Sequence, residues 1–100
     1  MAFFMKGELN ESRRGWETAI SLAPQDWQAY YGLGLVMAAE GDLKGSIKQL
    51  EWAVQLNPEY AEAYYLLSRV YGEAREEKKA QDALARALAL DPGVGQRMKN

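Results

Sequence analysis

Residues 25–58 read QDWQAYYGLGLVMAAEGDLKGSIKQLEWAVQLNP, and residues 59–92 read EYAEAYYLLSRVYGEAREEKKAQDALARALALDP. Laid over one another without a gap, they agree at ten of 34 positions. The identities are Ala29/Ala63, Tyr30/Tyr64, Tyr31/Tyr65, Leu33/Leu67, Val36/Val70, Lys44/Lys78, Leu50/Leu84, Ala53/Ala87, Leu56/Leu90 and Pro58/Pro92. Pro24 stands one further period upstream, so the chain's three prolines are spaced by 34 and 34. Residues 1–24 laid over 35–58 match at Gly7, Leu9, Ser12, Glu17, Ala19, Leu22 and Pro24. Self-similarity at a fixed period of this length is the mark of a stacked-repeat architecture. The expected organisation is an array over 1–92, made of a partial repeat 1–24 and full repeats 25–58 and 59–92. Residues 93–100 are expected to form a flexible C-terminal tail.

Within a unit the apolar period is helical. Ala29, Tyr30, Leu33, Val36 and Met37 recur at three and four residues, and so do Leu43, Ile47, Leu50, Ala53, Val54 and Leu56. Between them sits Gly41-Asp42, a glycine suited to a left-handed C-cap and an aspartate suited to the next helix start. Asn57-Pro58 closes the second helix, because proline disfavours helical geometry in the residue before it. The spacing predicts helices over 10–22, 27–39, 43–56, 61–74 and 78–90, with a fragment over 2–6. The turn of the last unit carries Arg75 where the others have Gly7 and Gly41. A non-glycine residue in a left-handed cap costs roughly 1 kcal/mol, so a solvated, slightly strained turn is expected there.

The units share a finer pattern. One reads Tyr30-x2-Leu33-Gly34-x2-Met37, then Ser46-x3-Leu50, then Pro58. The next reads Tyr64-x2-Leu67-Ser68-x2-Tyr71, then Ala80-x3-Leu84, then Pro92, and the partial unit supplies Ser12-x3-Trp16 and Pro24. Over about residues 2–92 this resembles the tetratricopeptide repeat, a 34-residue helix–turn–helix unit. The resemblance implies an all-α fold: a right-handed superhelical stack of antiparallel helix pairs, about two and two-thirds repeats with five main helices. The residue sizes agree with it. Gly34 and Ser68 are small where the helices of a unit would cross, as are Ala53 and Ala87 on the facing helix. The larger Tyr30, Leu33 and Leu50, and Tyr64, Leu67 and Leu84, fill the space around the crossing.

Composition narrows the function. The chain has 100 residues, 48% hydrophobic and 26% charged, with a net charge of -2. That balance is globular and lacks the basic excess of a nucleic-acid binder. Pentatricopeptide RNA binders are related helical hairpins, but their period is nearer 35 and their grooves are basic, so no nucleic-acid partner is expected. With no cysteine and no histidine, thiolate metal sites, cysteine nucleophiles and imidazole bases are excluded. Ser12, Ser21, Ser46 and Ser68 have no histidine to serve as base, and Gly32-Leu33-Gly34-Leu35 is not a dinucleotide fingerprint. Neither catalysis, a cofactor nor a metal is expected. No apolar run reaches the length of a signal-peptide core or a membrane span, so the expected setting is soluble and cytoplasmic, without membrane insertion.

The resemblance also implies a function: the first helix of each unit lines a concave groove that binds a peptide segment of another protein. Carried over unit by unit, the groove positions are Gln28, Tyr31, Leu35 and Ala38, then Glu62, Tyr65, Arg69 and Gly72. Tyr31 and Tyr65 either contact a ligand, as tyrosine does well, or wedge neighbouring units together. Chaperone-tail binders of this family use lysine, asparagine and arginine in the groove. Here the matching positions carry Tyr31, Leu35 and Leu66, and Arg69 is the only groove cation, so acidic tails of heat-shock chaperones are not expected ligands. Gly32 and Gly34 together cost about 2 kcal/mol in a helix interior. Gly34 has a packing reason, whereas Gly32 is either drift or a point of close approach for a ligand or a neighbouring helix. Trp52 either lies flat on its own helix or anchors an interface on the convex side.

Both ends of the array look uncapped, with Ala2–Lys6 short and residues 93–100 glycine-rich. Three readings follow: a piece of a longer array, a small protein that self-associates through its ends as a homo-oligomer, or ends that tolerate exposure. The candidates for self-association are Phe3, Phe4, Trp16 and Ile20 at one end and Leu84 and Leu88 at the other.

Overall fold

The computed structural model describes residues 6–98, with side chains from Glu8. Among these residues there are six helices and no strand: α1 (Lys6–Leu22), α2 (Trp27–Ala39), α3 (Leu43–Leu56), α4 (Ala61–Glu73), α5 (Glu77–Leu90) and α6 (Val94–Arg97). Each long helix packs on the next. The closest associations are α2 with α3 and α4 with α5, the two hairpins expected from the period. The chain is thus a helical repeat solenoid. None of its described helices is long and apolar enough to cross a membrane.

The turns between paired helices are built alike. After α2, Gly41 takes φ +85°, its N–H donates to the Ala38 carbonyl, and the N–H of Asp42 donates to the Met37 carbonyl. After α4, Arg75 takes φ +63°, its N–H donates to Gly72, and Glu76 N–H donates to Tyr71. Both are Schellman closures, with the left-handed residue where glycine is favoured. Asp42 then caps α3, its carboxylate accepting the Gly45 N–H at 2.9 Å, whereas Glu76 makes no side-chain cap to α5.

Small residues set the helix crossings. A methyl group on Gly34 would stand 2.7 Å from Leu50 Cγ, so glycine lets α3 lie directly on α2. Ser46, fully buried, donates its hydroxyl to the Gly34 carbonyl at 2.8 Å. Ala29, Ala53, Ala63 and Ala87 are fully buried. Leu50, Leu66, Leu67, Val70, Tyr71 and Ala83 form one core that joins the two hairpins.

Two expectations require correction. α1 already includes Lys6, four residues before the expected start at residue 10, so Gly7 lies inside a helix rather than in a turn like that at Gly41. Glu8 in the first turn suits the helix dipole, and a single glycine costs about 1 kcal/mol without breaking a helix. Apart from Lys6, the expected fragment over 2–6 lies outside the described residues. At the other end, the residues expected to be too glycine-rich for a helix include the one-turn helix α6. Its Val94 is fully buried against Ala61 and Ala87. Arg97 donates to Glu62 of α4 at 2.9 Å and also pairs with Asp91. By the 34-residue period Val94 corresponds to Tyr60, so α6 occupies the register of a helix start.

Candidate functional site

α1, α2 and α4 meet around a cleft of about 510 Å³. Its lining is Ser12 and Trp16 of α1, Gly32, Leu35, Val36 and Ala39 of α2, and Arg69 of α4. Trp16 determines its shape. The indole lies on Gly32 so closely that a methyl group there would stand 2.5 Å from Cζ2. One period later, Leu50 and Leu66 occupy the positions of Trp16 and Gly32 and share the central core. A large–small pair has replaced two leucines. Gly32 is therefore a point of close approach, and the approaching group is a neighbouring helix.

The remaining predicted groove residues are dispersed. Gln28 is exposed and Ala38 is partly buried against the central core. Tyr31 meets the edge of Tyr60 at 4.8 Å, and Tyr60 in turn meets Trp27 at 4.4 Å. Burial first, and the charge of Glu62 second, raise the Tyr31 hydroxyl above its ordinary pKa. Burial, reinforced by Tyr31 and Glu62, pushes Tyr60 well above it. Tyr65 packs in the cluster of Ala61, Ala87 and Val94. Tyr31 and Tyr65 thus each wedge against the segment that follows their own unit. Glu62 is engaged by Arg97. Of the groove positions, the cleft brings together Leu35 and Arg69, and it adds Trp16, predicted for self-association instead.

The self-association candidates also separate. Phe3 and Phe4 lie outside the described residues, and Ile20 is half-buried. Trp16 is 36% exposed, with one side taken up by Gly32. Leu84 and Leu88 of α5 are 38% and 42% exposed. Trp52 is 46% exposed, and its ring stacks on Tyr30 of α2 at 6.2 Å. One period later the same place holds Arg86 over the ring of Tyr64 at 5.6 Å. The ring contact is repeated with a cation replacing the indole.

The tetratricopeptide repeat profile matches residues 37–100, and a second profile of the same repeat matches residues 1–50. The chain belongs to the tetratricopeptide repeat family. No curated protein matches the sequence significantly. Among solved structures, the crystal structure of MamA is similar at a TM-score of 0.83 and 28% identity, over 93% of this chain and 58% of that one. YrrB, described as a TPR protein with an unusual peptide-binding site, is similar at 0.81 and 22% identity, over 93% of this chain and 49% of that one. The tetratricopeptide chain described here therefore spans about half the length of these neighbours. Ser12, Val36 and Ala39 of its cleft were not anticipated as site residues, and Gly32 was singled out only as drift or a point of close approach. The signal for them was the exchange of Leu50/Leu66 for Trp16/Gly32 between units.

Proposed function

We propose that this tetratricopeptide array is a non-catalytic interaction module that binds an extended peptide segment of a partner protein in the groove along α2 and α4. One observation carries the reading. α2 has no charged residue from Trp27 to Ala39, and a helix apolar on all sides is expected to be covered on all sides. Its Leu35 is nevertheless 42% exposed, in the cleft beside Trp16. A partner segment supplies the missing cover. Leu35 and Arg69 are its first contacts, Gln28 and Ala38 extend the same face, and Tyr31, Glu62 and Tyr65 flank it while holding the units together. Acidic chaperone tails do not fit this surface, because Arg69 is the one cation among the described residues that line the cleft.

The test is affinity capture from source-cell lysate with the wild-type chain and with Leu35→Ser. Leu35 is a surface residue, so circular dichroism should be unchanged while the captured partner is lost. Retention of the same partner at the same yield would remove the groove assignment.

A second reading has its own observation. Leu84 and Leu88 are exposed where one period earlier Leu50 is fully buried and Val54 half-buried under α4. This face of α5 is proposed as a surface for self-assembly. Analytical ultracentrifugation across a hundredfold concentration range should show association that Leu84→Glu abolishes. A single monomeric species throughout would end this second reading.

A further inference from the structure

We infer that the Trp16 cleft selects an internal peptide segment carrying a large apolar side chain within a few residues of a glutamate or aspartate. The inference rests on the groove reading above and adds the chemistry of the ligand.

The apolar requirement comes from the walls. The indole of Trp16, Leu35 and Val36 enclose a space large enough for one bulky side chain. Ser12 and Arg69 supply the polar groups at its margin.

The acidic requirement comes from Arg69. Arg13 is paired with Glu40, Arg97 with Glu62 and Asp91, and Arg86 lies over Tyr64. Arg69, like Arg14 and Arg75, is exposed and makes no ion pair among the described residues, although Glu73 stands one turn further along its helix, and of these three it is the one that lines the cleft. A guanidinium presents a planar fork of donors that matches a carboxylate. One period earlier the position is Leu35, so successive units offer an apolar and then a cationic contact along the groove.

The internal position comes from the far side of Arg69. The same side chain lines a second, shallower depression of about 260 Å³ with Tyr65, Ser68 and Leu84. A bound chain can continue past Arg69 onto this surface, so the carboxylate belongs to a side chain and not to a chain end.

The experiment is a titration of isotope-labelled protein, followed by NMR, with blocked peptides of the form acetyl-Gly-Ser-Leu-Ser-Glu-Ser-Gly-amide. Companion peptides carry glutamine or lysine in place of glutamate, or serine in place of leucine. The glutamate peptide should shift the Trp16 indole N–H and the Arg69 Nε–H together. Glutamine should weaken binding by about fivefold to tenfold, and serine for leucine should abolish it. Arg69→Gln, at an exposed position, should leave the spectrum folded and erase the difference between glutamate and glutamine peptides. Equal binding of these two peptides to the wild-type chain would overturn the inference and leave groove binding intact. Tighter binding of a peptide ending in a free leucine carboxylate would overturn the internal source. Absence of any shift at Trp16 or Leu35 would overturn the inference, and the lysate capture with Leu35→Ser then decides the groove reading separately.

Discussion

At the scale of single residues, three glycines and one arginine show how position decides the sign of a substitution. Gly15 and Gly32 both lie inside helices. A methyl group on Gly15 meets nothing within 4 Å, whereas on Gly32 it collides with Trp16. Gly15→Ala is therefore expected to stabilise the fold by about 0.5–1 kcal/mol through helix propensity. Gly32→Ala is expected to destabilise it by about 1–3 kcal/mol, because the indole must leave its place. Chemical denaturation of the two variants beside the wild type measures both. Gly34 belongs with Gly32, because Leu50 fills the space that a side chain would need. Arg75 is the converse: its φ of +63° is one that glycine adopts freely. Arg75→Gly should raise stability by a few tenths to about 1 kcal/mol, and a loss would mean that the arginine side chain contributes more than its backbone costs. The Arg75 turn was legible because Gly41 stands one period earlier. The role of Gly32 was open because its partner, Trp16, is distant in sequence and has no aromatic counterpart in the other units.

At the scale of elements, the four helices of the two full units were legible in advance, α4 and α5 to within a residue at each end of the expected 61–74 and 78–90. Gly41-Asp42 and Asn57-Pro58 set off α2 and α3, whose bounds match the expected 27–39 and 43–56. α1 was misplaced at its start because Gly7 aligns with Gly41, and alignment alone cannot tell a helical glycine from a turn. α6 was missed because glycines flank Val94, and only its tertiary position explains the turn. Its docking predicts that Val94→Ser costs up to about 1.5 kcal/mol of lost burial. It also predicts faster amide exchange over residues 94–98. Unchanged exchange would mean that Arg97, held by Glu62 and Asp91, secures α6 without Val94.

The buried tyrosines give these elements a pH limit. Burial raises the hydroxyls of Tyr31, Tyr60 and Tyr71, and at Tyr71 the hydrogen bond to Glu51 adds to it. The folded chain then holds these protons more tightly than the unfolded chain, whose tyrosines titrate near pH 10. Their contribution is fully present below about pH 10 and falls as pH rises beyond it. The denaturation midpoint should therefore drop between pH 9 and pH 11, and less so in Tyr71→Phe. A midpoint independent of pH across that range would contradict the burial of these rings.

At the scale of the whole molecule, stacking explains both what is covered and what is left open. Each unit buries its apolar stripes on its neighbour, and Leu50 is buried because α4 follows it. Among the described residues, Leu84, at the same position of the next unit, is followed by the single turn of α6 and is 38% exposed. Leu35, by contrast, lines the cleft with Trp16 and Arg69. The period made the stack legible, but the cleft depends on the points at which the units differ. The most direct test is photo-crosslinking in source cells, with benzoylphenylalanine placed at Leu35, at Leu88 and, as a control, at the exposed Gln55 outside the cleft lining. The account predicts a protein adduct from position 35 that is absent from position 55, and that Arg69→Glu diminishes. Adducts from position 55 as strong as those from 35, or adducts from position 88 alone, would contradict it.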